Sequence, residues 1–151
     1  MIRHRTLPSA IATAAALLLA TAAPSLAALP KALTQMRPAF AVRPAQISYT
    51  GDGTGVLGGG QRTGERGFGR ITWTSWTRRS AHGRGKVWIN DCRPDCAGGS
   101  FSPRPMRVSL SRPRDGKFRL LTIRYRYDGK AYVDRRSVVR QGRYWTYGIA
   151  R

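Results

Sequence analysis

Cys92 and Cys96 are the only cysteines of the chain, set in Asn90-Asp91-Cys92-Arg93-Pro94-Asp95-Cys96-Ala97-Gly98-Gly99. Two cysteines at this spacing read as one disulfide if the chain is exported. Three intervening residues, one of them Pro94, make a tight loop whose closure contributes roughly 2 kcal/mol in the chain-entropy account. A redox pair usually has two intervening residues at a helix N-terminus, and neither is present. A structural zinc site needs four nitrogen or sulfur ligands, and no histidine accompanies Asp91 and Asp95. We therefore expect no metal and no cofactor.

The remaining acid–base groups are few. His82 is the one histidine beyond residue 27 and the one usual base for a serine nucleophile, but no nucleophile-elbow motif accompanies any serine. Glycoside hydrolysis needs two carboxylates flanking a bond. Asp115 and Asp128 fit turns, and Asp91 and Asp95 fit the disulfide loop. Asp52 with Glu65, the sole glutamate, is then the pair that keeps a secreted hydrolase open as an alternative. Gly51-Asp52-Gly53-Thr54-Gly55 lacks the Lys-Ser/Thr of a phosphate loop and has one aspartate, too few for calcium. It reads as a strand-connecting turn.

Charge suggests binding more strongly than catalysis. The chain has 27 Lys+Arg against 7 Asp+Glu, a formal net charge of +20. Such a balance favours polyanions: anionic envelope polymer, polysaccharide or nucleic acid. Arginine outnumbers lysine heavily, and Ala, Gly and Pro are abundant, so GC-rich codon usage is a competing source of the charge. Arg107, Arg124 and Arg126 alternate with apolar residues on adjacent expected strands and would share one sheet face if those strands pair in order. The same alternation is what any solvated strand face shows. Trp73 and Trp145 fall in phase with Ile71 and with Tyr147 and Ile149, as core residues do. Trp76 and Trp88 fall out of phase with the core and are the candidates for an exposed sugar-stacking platform, which makes a carbohydrate-binding module a further alternative.

These residues sit in a chain with three parts. Arg3 and Arg5, an apolar Ile11–Ala23, Pro24 and the small-residue site Ser25-Leu26-Ala27 have the form of a secretory signal over 1–27. The apolar run is shorter than the roughly 18 residues of a spanning helix, so no transmembrane segment is expected in the mature chain. Without Arg3 and Arg5, 25 basic face 7 acidic side chains, a net +18. Residues 28–44, with Pro30, Pro38 and Pro44, read as a disordered linker. Residues 45–151 show short alternating runs bounded by Gly, Pro and Asp, the pattern of one all-β domain, an antiparallel sandwich or barrel. Met106, Val108 and Leu110 predict one strand; Leu121, Ile123, Tyr125 and Tyr127 predict the next, with a bulge near Leu120 to bring Phe118 into phase. Asp128-Gly129 predicts a tight hairpin into Lys130–Val133, and a turn at Gln141-Gly142 leads to a last strand, Tyr144–Ile149.

The segments Tyr49–Gly55, Ile71–Trp76 and Asn90–Gly98, with their W-x-x-W strand and N-D-C-x-P-D-C-A-G loop, resemble small secreted proteins of actinobacteria that carry no assigned function. The resemblance implies export and a β-rich domain and brings no catalytic residue with it. The expectation is a secreted or envelope-associated, non-enzymatic β-domain that binds an anionic polymer.

Overall fold

The computed structural model describes residues 28–34, 39–58 and 69–150. The expected signal and Glu65 lie outside them. The described residues contain ten strands and no helix: β1 (Ala32–Leu33), β2 (Phe40–Ala41), β3 (Ile47–Ser48), β4 (Gly55–Leu57), β5 (Thr72–Trp76), β6 (Ala81–Asn90), β7 (Phe101–Arg114), β8 (Lys117–Tyr127), β9 (Lys130–Gln141) and β10 (Tyr144–Ile149). β1 and β2 form a small hairpin. The others make one curled antiparallel sheet, a half-barrel, in the order β10-β9-β8-β7-β6-β4-β3, with β5 also pairing β6.

Tight turns join the long strands and set their register. Asp115 and Gly116 have φ of 51° and 66°, and Asp128 and Gly129 have 48° and 72°. Positive φ at both central residues is the type I′ hairpin, whose twist matches the flanking strands. Gly142 (φ 58°) turns β9 into β10. The β6–β7 connection is the disulfide loop: the Cys92–Cys96 bond closes it, and pairing resumes at Asn90 opposite Phe101.

Alternation then sorts the side chains. Met106, Val108 and Leu110 of β7, Leu121 and Ile123 of β8, Ala81 and Val87 of β6, Val138 of β9 and Tyr147 of β10 are buried on the concave face. Phe118 is buried with them, although no bulge forms at Leu120. The β7–β8 register is the same on either side of that point, with Ser111 opposite Leu120 and Pro113 opposite Phe118. The irregularity lies on the partner strand, where Arg112 takes a φ of 55°. A bulge does occur in β5, between Trp73 and Ser75. β9 runs well past Val133, because the polar Asp134–Ser137 stretch stays in the ladder opposite Leu120–Ile123.

The Pro/Ala-rich stretch expected to be a linker is, in its described residues, part of the body. Ala32 and Leu33 are fully buried. Lys31 N donates to Gly116 O (2.9 Å) and Phe118 N donates to Lys31 O (3.0 Å), which adds this segment beside the start of β8. Trp76 Nε1 donates to Pro30 O (3.0 Å), and the Tyr147 hydroxyl donates to Leu33 O (2.7 Å). A half-barrel needs a cover on its concave side, and three buried residues, Pro30, Ala32 and Leu33, with a few carbonyls supply it. Composition hides this because the strap is too short to show a period. Trp76 packs edge-on against Trp73 (4.7 Å) and Phe118 (5.5 Å), which joins the strap to the core.

Two outcomes follow. Leu33→Ala is expected to cost about 2–5 kcal/mol in urea unfolding; no loss would mean the segment is a tether after all. Burial holds the Tyr147 phenol well above its usual value of 10.0, and Tyr49 is raised first by burial and then by Tyr125 and Asp134. A raised phenol leaves stability intact below pH 10 and removes it above, where the unfolded chain sheds protons that the fold retains. The melting temperature should therefore fall as pH rises past 10, and less steeply in Tyr147→Phe. A flat profile, or one unchanged by the substitution, would contradict this.

Candidate functional site: a basic ridge on the outer sheet face

The disulfide loop and the Asp115-Gly116 turn determine which outward side chains meet. Arg84 of β6 lies opposite Arg107 of β7, and Arg107 lies opposite Arg124 of β8. Three arginines thus cross three neighbouring strands in one row. Directly opposed residues have Cβ atoms about 4.5–5.5 Å apart, and like charges so placed destabilise the sheet. Arg126 lies two residues further along β8 and Lys86 two further along β6. Together with Arg70 these side chains surround an open hollow of about 860 Å³ floored near Pro105 and Ala131. The Arg84-Arg107-Arg124 row also borders a second hollow of about 410 Å³ that holds Thr74, His82 and Ser109. It is a cationic ridge between two depressions.

No carboxylate compensates the ridge among the described residues, because the acids there are engaged elsewhere. Asp134 makes a two-point pair with Arg136 (2.8 and 2.9 Å), on the face opposite the ridge by strand alternation. Asp115 pairs with Arg119 at 3.0 Å. Asp91 Oδ1 accepts from the backbone of Ser100 (2.9 Å) and Arg93 (3.1 Å), which lowers its pKa, and Asp95 Oδ1 accepts from Ala97 (2.9 Å) and Gly98 (2.7 Å). Asp128 sits in its turn. Asn90 completes the disulfide loop by accepting from Cys92 N and donating to Cys96 O, both at 2.8 Å. These bonds hold the loop that places Arg84 opposite Arg107.

The catalytic alternatives are described only in part, since Glu65 lies outside the described residues. The Asp52 carboxylate accepts from the Thr54 hydroxyl (2.7 Å) and backbone (3.0 Å) within its own turn, which lowers its pKa to about 2. A group ionised to so low a pH holds no proton to donate to a leaving group. His82 and Ser109 are cross-strand partners, yet no hydrogen bond joins them and no described carboxylate orients the imidazole. Among the described residues no three His, Cys, Asp or Glu side chains cluster as metal ligands do.

The tryptophan platform is corrected by the structure. Trp76 and Trp88 are 6% and 7% exposed. Trp76 turns inward because the β5 bulge shifts the strand's phase. Trp88 is covered although it follows Arg84 and Lys86 on β6, where β4 pairs alongside and sets Val56 opposite it. Neither ring offers a face to a sugar. Arg107, Arg124 and Arg126 do share the outer face. Arg84, Lys86 and Arg70 complete the group, and sequence reasoning left them out. Arg84 and Lys86 were legible as outward residues of their strand. Their opposition to Arg107 was not, because the ten-residue connection from 91 to 100 carries no tight-turn signal for register.

Relieving the ridge should stabilise the sheet. Arg107→Gln is expected to raise stability by roughly 0.2–1 kcal/mol at low ionic strength, with the gain shrinking in high salt; a loss of stability would show that Arg107 is compensated. Comparison with known protein families, curated proteins and solved structures gives no match for this chain.

Proposed function

We propose that the domain is a polyanion-binding module that acts outside the cell on an anionic envelope polymer, through Arg84, Arg107 and Arg124 with Arg70, Lys86 and Arg126 beside them. The observation that carries this is the uncompensated row of three directly opposed arginines bordering an open hollow. A fold gains nothing from such a row on its own, since neighbouring guanidinium groups repel. A bound polyanion relieves that repulsion and gains two-point contacts to its oxyanions. The open shape suits a chain that passes across the sheet. The disulfide supports a location away from the reducing cytosol.

The test is affinity for inorganic polyphosphate across a salt series. Binding should weaken steeply as sodium chloride rises. Arg107→Gln with Arg124→Gln should weaken it and flatten the logarithmic salt slope by about two, one for each contact removed. Arg140→Gln with Arg143→Gln makes the same charge change near the β9–β10 turn and should do much less. Equal effects from the two pairs would mean that binding follows net charge without a site.

A further inference from the structure

The face of the β8–β9 hairpin opposite the ridge carries a shelf of tyrosines that sequence reading did not single out. Tyr125 and Tyr132 are cross-strand partners and stack at 5.4 Å with an interplanar angle of 11°. Tyr127 meets Tyr132 edge-on at 6.2 Å, and the Arg104 guanidinium lies 4.9 Å from the centre of the Tyr127 ring. Tyr127 and Tyr132 are 45% and 39% exposed. No hydrogen-bond partner engages the hydroxyl of Tyr125, Tyr127 or Tyr132 among the described residues. The fully buried Tyr147 hydroxyl, by contrast, donates to Leu33 O.

The geometry points to a saccharide subsite: Tyr127 and Tyr132 hold a sugar ring of an acidic glycan while Arg104 and Lys130 meet its carboxylate. This extends the basic-face reading by naming the polymer's chemistry. Three kinds of group converge here. Half-exposed aromatic rings pack against the C–H face of a pyranose. Phenol hydroxyls without a protein partner exchange a hydrogen bond to water for one to a sugar hydroxyl. Cations supply charge complementarity, with Lys130 opposite Tyr127 across the hairpin. A nucleobase would stack on the same ring faces as a pyranose does, and oligo-dT is the probe that separates the two. Tyr125 covers one face of Tyr132 and Arg104 covers one face of Tyr127. Tyr125 and Tyr132 also border the basic hollow, with their rings on the other face of the same hairpin.

The experiment compares three probes, oligogalacturonate, inorganic polyphosphate and oligo-dT, on the full mature chain and on Tyr127→Phe with Tyr132→Phe. Phenylalanine keeps the ring packing and removes the hydroxyls, so the variant should fold as the parent does. Oligogalacturonate binding should weaken about ten-fold, while polyphosphate binding stays within about two-fold. Intact polyphosphate binding with no loss for oligogalacturonate overturns the shelf and leaves the ridge standing. No polyphosphate binding by the unsubstituted protein removes the ridge and this extension together. Oligo-dT binding that depends on the two hydroxyls overturns the glycan assignment in favour of nucleic acid.

Discussion

Strand register is the constraint on which the rest of this molecule depends. The side-chain period of a strand is two, so a slip of one residue would turn every outward arginine into the core. Two devices prevent it where it matters. The Asp115-Gly116 turn locks β7 to β8, and the disulfide loop, closed by Cys92–Cys96 and laced by Asn90, Asp91 and Asp95, locks β6 to β7. The apolar faces of Met106, Val108, Leu110, Leu121 and Ile123 supply the energy that makes the register unique. Arg84, Arg107 and Arg124 are then opposed as a consequence, whatever their mutual repulsion.

That opposition links stability to function. The acids of the described chain are used for turns, loops and ion pairs such as Asp115–Arg119 and Asp134–Arg136, and none is placed on the ridge. The half-barrel tolerates the repulsion because its core end is closed on the concave side. Trp76, Phe118, Tyr147 and the strap at residues 30–34 close that side through interlocked rings and carbonyl contacts. A surface with an unrelieved field on one face and unpartnered hydroxyls on the other side of the same hairpin suits a polymer that carries both charge and sugar rings.

The sequence revealed local features and concealed those that depend on distant pairing. The meander from Met106 to Val133 was legible because strict alternation and the Asp-Gly turn coincide there. The outward placement of Arg107, Arg124 and Arg126 followed from the same alternation. Trp76 and Trp88 were misread, since a bulge in β5 and the approach of β4 decide their burial and neither leaves a mark in the local pattern. The strap was misread because five residues in a Pro/Ala-rich context show no period. The Tyr125–Tyr132 pair and the Arg84–Arg107 pair exist only once two strands are laid side by side.

The central claim is that the polyanion contacts a specific row of guanidinium groups. Side-chain Nε–H resonances of the arginines, followed by nuclear magnetic resonance during titration with inorganic polyphosphate, test it most directly. The account predicts that Arg84, Arg107 and Arg124 shift first and furthest, with Arg70 and Arg126 next and Arg140 and Arg143 nearly still. Shifts spread evenly over all arginines, or centred on the β9–β10 turn, would contradict it.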